Sequence, residues 1–87
     1  MSYANLPTLT GSDKQIAWAT AIRDTSIAYV EANFVAKAQA GKTEVFRAAL
    51  RKGLYDAETT AGFWIDNRFD AGEPGFNWLG RFIKRGM

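Results

Sequence analysis

Residues 12–38, SDKQIAWATAIRDTSIAYVEANFVAKA, decide the fold that this sequence predicts. Apolar side chains recur there at steps of three and four, with one step of five, which is the spacing of a buried face on an α-helix. The apolar positions are Ile16, Ala19, Ile22, Ile27, Val30, Phe34 and Ala38. Ser12 followed by Gln15 has the form of a capping box. The stretch therefore predicts a long first helix that begins after Ser12 and ends before Gly41.

The segments on either side of this helix are shorter. Residues 1–9 contain a proline and no periodicity, so they are predicted to form an extended lead-in whose Leu6 and Leu9 fold back onto the body. Thr43 is predicted to cap a second helix, and Gly53 is a natural stop for it.

Two further helices are predicted towards the end of the chain. Asp56 has the form of an N-cap, and residues 70–75 form the clearest loop because Gly and Pro together interrupt regular structure. Residues 76–85 have helical spacing, although their aromatic residues also fit part of a strand pattern, so a strand is the second interpretation. The prediction is a single all-α domain over residues 1–87, a compact bundle of three to four helices.

The composition argues against an enzyme. The chain contains no Cys and no His, which excludes disulfides, thiolate zinc sites and imidazole chemistry, and we expect neither a metal nor a cofactor. A general base near neutral pH would have to be a carboxylate whose pKa is raised by burial or a lysine whose pKa is lowered by burial. Asp66 is the best candidate because it follows Trp64 by two residues. Pairing with Arg68 or capping of nearby backbone is the more common role for such a carboxylate, so no catalytic residue is predicted.

Basic and acidic residues are grouped in separate segments of the chain, which has a net charge of +2. Such segmentation suits specific docking. The acids of residues 56–73 are predicted to form a protein-binding face: Asp56, Glu58, Asp66, Asp70 and Glu73. The segments on either side carry two basic strips: Arg47, Arg51 and Lys52 in one, and Arg81, Lys84 and Arg85 in the other.

Protein binding is the function that the sequence favours, because no catalytic set is present and aromatic residues and Arg commonly anchor interfaces. The predicted aromatic contact residues are Trp18, Tyr55, Phe69 and Trp78. Direct binding of DNA or RNA through the basic strips is the alternative, in which an exposed Trp78 would stack on a base.

The N-terminus lacks the basic start and apolar run of a signal peptide, and no stretch approaches the roughly 18 apolar residues of a membrane span. A cytoplasmic protein with a protein partner and no membrane contact is predicted. The sequence leaves the oligomeric state open.

Two segments carry a resemblance. LTGSDKQIAWATAIR, residues 9–23, resembles a motif of uncharacterised small helical modules of bacteria and mobile elements, LTGSxKQIxWAxxIR. FWIDNR, residues 63–68, is similar to a later pattern of those modules. The resemblance implies a shared helical scaffold and no reaction. By analogy of size and charge, the chain also resembles phage-encoded inhibitors of the anti-CRISPR type, which implies docking onto a nucleic-acid-binding effector and blocking it.

Overall fold

The computed structural model describes residue 3, residues 5–39 and residues 41–87. These residues form five α-helices and no strand: α1 Asp13–Val30, α2 Thr43–Leu50, α3 Ala61–Asp66, α4 Arg68–Gly72 and α5 Phe76–Gly86. A π-helical turn extends α1 over Glu31–Val35, and another extends α2 over Arg51–Tyr55. The predicted all-α class and the long first helix are confirmed. Residues 1, 2 and 4 of the predicted lead-in and residue 40 lie outside the described residues.

The start of α1 has the predicted capping box. The Ser12 hydroxyl oxygen accepts a hydrogen bond from the Gln15 backbone N–H at 3.2 Å, and the Gln15 side-chain oxygen accepts one from the Ser12 N–H at 3.1 Å. Two N–H groups that lack partners within the helix are satisfied in this way.

The Ser12→Ala variant is expected to lose about 1 kcal/mol of unfolding free energy, because the Gln15 N–H loses its hydroxyl acceptor. For a domain of this size the loss corresponds to a fall in the melting temperature of roughly 4–8 °C. Differential scanning calorimetry measures it, with Ser12→Asp as the control that keeps an acceptor. An unchanged melting temperature in Ser12→Ala would show that the cap contributes nothing to stability.

The lead-in packs back onto the helices, as predicted. Leu9 is buried in the core, and Leu6 packs against it. The Thr10 N–H donates to the Thr59 carbonyl oxygen at 2.9 Å, and the Ala61 N–H donates to the Thr10 carbonyl oxygen at 2.8 Å. These bonds hold the residues before α1 beside the residues before α3.

Two predicted helix caps are wrong. Thr43 is the first residue of α2, and Lys42 occupies the cap position without a side-chain bond. Asp56 is not an N-cap: it is the C-cap residue of the π-helical turn Arg51–Tyr55, and α3 begins five residues later at Ala61. The N-cap of α3 is Thr60, whose hydroxyl oxygen accepts from the Phe63 N–H at 3.3 Å.

Gly53 is a point of helix crossing, and its predicted role as a helix stop is wrong. The chain continues in a π-helical turn through Gly53 to Tyr55, and this turn packs on α5. A Cβ atom added at Gly53 would overlap the Phe82 carbonyl oxygen and lie 2.8 Å from the Gly86 backbone nitrogen. A Cβ atom at Gly86 would likewise overlap the Ala49 carbonyl oxygen. Two glycines therefore let the α2 and α5 backbones touch.

The predicted loop at residues 70–75 is partly helical. Its first three residues belong to α4, which packs on α1 and buries Ala71 completely. The loop prediction failed there because burial of Ala71 favours a helical turn despite the nearby glycine and proline. Beyond the loop α5 is a helix, so the strand interpretation of residues 76–85 is wrong.

The core joins all five helices. α1 packs on α3 and α4, while α2 and its π-helical turn pack on α5. Tyr55 and Trp64 stack at its centre with ring centroids 5.8 Å apart, and the Trp64 indole N–H donates to the Glu58 carbonyl oxygen at 3.0 Å. Aromatic residues thus supply much of the buried surface of a small domain.

Candidate protein-binding surface

Two large aromatic side chains are exposed where α1 meets α4. Trp18 of α1 is 50% exposed, and Phe69 of α4 is 81% exposed. The guanidinium carbon of Arg68 lies 5.5 Å from the Trp18 ring centroid and 4.9 Å from the Phe69 ring centroid. Both distances are within the range of cation–π contacts. Trp18, Arg68 and Phe69 are called the aromatic cluster below.

A break between α3 and α4 positions this cluster. The chain leaves helical geometry at Asn67, with φ −105° and ψ 19°, and the Asn67 side chain donates to the Phe63 carbonyl oxygen at 2.8 Å. Arg68 Nη1 then donates to the Ile65 carbonyl oxygen at 2.7 Å. Because α4 buries Ala71 and its first residue is tied to α3, the Phe69 ring is left on the outside.

Three carboxylates lie in the same short segment, residues 66–73. Asp66, Asp70 and Glu73 are all exposed, and none of them has an ion-pair partner within the described part of the chain. The predicted Asp66–Arg68 pair is absent from the described contacts, since Arg68 binds a carbonyl oxygen and two rings. The segment therefore presents three carboxylates and one guanidinium next to exposed aromatic surface.

The other two acids of the predicted face are engaged elsewhere. Asp56 pairs with Arg51 at 2.9 Å, and Glu58 pairs with Arg85 at 2.9 Å. The five acids therefore do not act as one uniform face, because two of them neutralise cations of the basic strips.

The basic strips also have fewer unpaired charges than the sequence predicts, because three of their arginines form ion pairs within the protein. Arg47 makes a two-pronged contact with Glu31, at 2.7 and 3.1 Å, and also pairs with Glu44. Arg85 binds both the Gly53 carbonyl oxygen and Glu58. Three cations of the strips are exposed and form no ion pair among the described residues: Lys52, Arg81 and Lys84. Half of the predicted cations therefore stabilise the fold instead of extending an uninterrupted phosphate-binding surface.

Tyr55 and Trp78 are wrong as contact residues. Tyr55 is fully buried, and its hydroxyl lies 3.0 Å from the Ser26 hydroxyl. Trp78 is 7% exposed and packs against Phe63 and Phe82. Both rings are part of the core. The spacing of apolar residues along single helices did not predict this, because it does not show which helices pack together. Trp78 is accordingly not positioned to stack on a base.

Burial raises the pKa of the Tyr55 phenol well above its usual range. The folded protein therefore keeps this proton above pH 10, where the unfolded chain loses it. Unfolding free energy is expected to be unaffected by Tyr55 below about pH 10 and to fall by about 1.4 kcal/mol per pH unit above it. Urea unfolding at increasing alkaline pH measures the slope.

Burial and a hydrogen bond to Glu31 raise the pKa of Tyr3 as well, so Tyr3 adds to the total slope, and Tyr55→Phe is expected to remove only the part of the slope that comes from Tyr55. An identical slope in Tyr55→Phe and the unsubstituted protein would contradict the burial of the phenol.

Arg68 is the surface residue that sequence reasoning missed. It was considered only as the ion-pair partner of Asp66. Its place directly before an aromatic residue in a charged segment was the available signal, because Arg and aromatic side chains together typify interfaces.

Asp66, the candidate general base, lies in this surface segment. Asp66 is exposed, so the burial that a general base would require is missing. Within the described ranges, no group of three or more potential metal ligands comes together, and no helix has the length and apolarity needed to span a bilayer. Comparisons with protein-family models, curated proteins and solved structures find no match to the chain.

Proposed function

We propose that this protein is a non-enzymatic module that binds a protein partner through the aromatic cluster and the carboxylates beside it. The observation that carries the proposal is the exposure of Trp18 and Phe69 around the guanidinium of Arg68. Trp and Arg are enriched among the few residues that supply most of the binding energy of interfaces. Exposed apolar surface with a polar border is a mark of protein–protein contact.

The charge of the segment indicates the chemistry of the partner. Asp66, Asp70 and Glu73 complement a basic surface, and surfaces that bind nucleic acid are rich in Lys and Arg. We therefore propose a nucleic-acid-binding effector as the partner, with the carboxylates occupying positions that phosphates take. Bound in this way, the protein acts as an inhibitor. An inhibitor of the anti-CRISPR type, encoded by a phage or mobile element and acting in the cytoplasm, is the specific form of this proposal.

The first test identifies the partner and then removes the surface. Affinity purification from host lysate is expected to recover a basic protein that remains bound after nuclease treatment. With that partner purified, Asp66→Lys, Asp70→Lys and Glu73→Lys combined are expected to abolish binding, and Trp18→Ala with Phe69→Ala to weaken it by about tenfold or more. A nucleic acid bound by the partner is expected to compete with the protein.

A charge-matched control separates this surface from general electrostatics. Asp24 is also an exposed helical acid, on α1, and it lies outside the segment 66–73. Asp24→Lys is expected to bind nearly as well as the unsubstituted protein, whereas Asp70→Lys alone is expected to bind more weakly. Unchanged affinity in the triple reversal would rule out the acidic segment as the binding surface. Recovery of nucleic acid alone, lost in moderate salt, would instead favour direct binding through Lys52, Arg81 and Lys84.

A further inference from the structure

A second surface feature lies away from the aromatic cluster. It is a groove of about 380 Å³ between the end of the long first helix, α2 and the start of α5. Its lining residues are Asn33, Phe34, Lys37, Ala38, Phe46 and Phe76. The volume falls at the lower end of the roughly 300–1,000 Å³ typical of small-molecule sites. The groove is therefore large enough for a compact ligand.

Three phenylalanine rings form the walls. Phe34 and Phe76 meet edge to face, with centroids 5.4 Å apart and an angle of 84° between ring planes. Phe76 is nevertheless 78% exposed, so most of its surface is accessible to a ligand. Phe46 is half-buried and packs against the core. An aromatic ring is well suited to this groove because offset and edge-to-face contacts with three rings are available.

Lys37 supplies the charge at the groove. It is exposed, and no carboxylate pairs with it among the residues that the structure describes. The Asn33 amide donates to the Tyr29 carbonyl oxygen at 3.0 Å. Glu31, three residues before Phe34, accepts hydrogen bonds from Arg47 and Tyr3. An ammonium group is thus the charged group that lines the groove.

We propose that this groove binds a small aromatic carboxylate, with its ring against Phe34 and Phe76 and its carboxylate at the Lys37 ammonium. This site is separate from the proposed protein-binding surface and does not depend on it. The rings provide apolar contact, and Lys37 selects an anion over a neutral ligand of the same shape.

Titration with 2-naphthoate, followed by NMR of the backbone amides, tests the proposal. Saturable shifts are expected at the residues that line the groove. The neutral analogue 2-naphthylmethanol is expected to bind at the same place about two- to fivefold more weakly, which is the range of a partly exposed ion pair. Lys37→Gln is expected to remove this preference, and Phe76→Ala to weaken both ligands by several-fold.

Lys84→Gln is the matched control, because Lys84 is an exposed lysine outside the groove. It is expected to leave the preference for the carboxylate unchanged. The proposal is overturned if naphthoate causes no saturable shifts at the groove, if the shifts centre elsewhere, or if Lys37→Gln keeps the full preference for the anion.

Discussion

The Gly53→Ala variant is expected to lose about 3 kcal/mol or more of unfolding free energy, a large share of the 5–15 kcal/mol typical of a domain. The added methyl group would overlap the Phe82 carbonyl oxygen and approach the Gly86 nitrogen to 2.8 Å. These obstacles are backbone atoms, which cannot rotate away as a side chain does. The helices must separate to accept the methyl group, and contacts along α2 and α5 weaken together. Urea unfolding followed by circular dichroism measures the loss.

Gly80→Ala is the control for this variant. Gly80 lies within α5 and is exposed, and an added Cβ atom meets nothing within 4 Å. Alanine is favoured over glycine inside a helix, so Gly80→Ala is expected to raise stability by about 0.5–1 kcal/mol. The two variants make the same chemical change with opposite expected signs. A Gly53→Ala protein as stable as the unsubstituted one would show that the two backbones do not meet at Gly53.

The Trp64→Ala variant is expected to lose about 3–5 kcal/mol of unfolding free energy. Trp64 is fully buried, stacks on Tyr55 and meets Phe63 edge to face with centroids 5.1 Å apart. Its removal leaves a cavity among rigid rings and deprives the Glu58 carbonyl oxygen of its indole donor. Denaturant unfolding measures the loss directly, provided that the dependence of the unfolding free energy on denaturant concentration is the same in both proteins.

Trp18→Ala provides the comparison within the same residue type. Half of the Trp18 side chain is already exposed, so its truncation is expected to cost at most about 1 kcal/mol of stability. The effects on partner binding are expected in the reverse order: Trp18→Ala weakens binding more than Trp64→Ala, because Trp18 belongs to the aromatic cluster and Trp64 does not. Similar stability losses in the two variants would mean that the core is centred elsewhere.

Local signals in the sequence were sufficient for the first helix, whereas for residues 76–85 they left a strand as the second interpretation. The Ser12–Gln15 capping box and the spacing of apolar residues predicted where α1 begins, because both are interactions within a few residues. Gly53 shows the limit of such signals. A glycine at a helix end and a glycine at a helix crossing look alike in sequence, and only the partner Gly86, 33 positions away, distinguishes them.

The candidate surface was predicted only in part for the same physical reason. Of the four aromatic residues predicted to make contacts, Trp18 and Phe69 are exposed, whereas Tyr55 and Trp78 are buried and complete the core. The ion pairs could not be predicted from the sequence either. Arg85 meets Glu58 across 27 positions, and no spacing rule along one helix links them.

The backbone pairing of Thr10 with Thr59 and Ala61 has a consequence for the order of folding. It joins positions about 50 residues apart, so the chain loses considerable freedom when it forms, whereas each helix needs only local contacts. We expect each helix to form before this long-range pairing, which forms when α1 packs on α3. Hydrogen exchange at the Thr10 amide is expected to report the opening of this pairing.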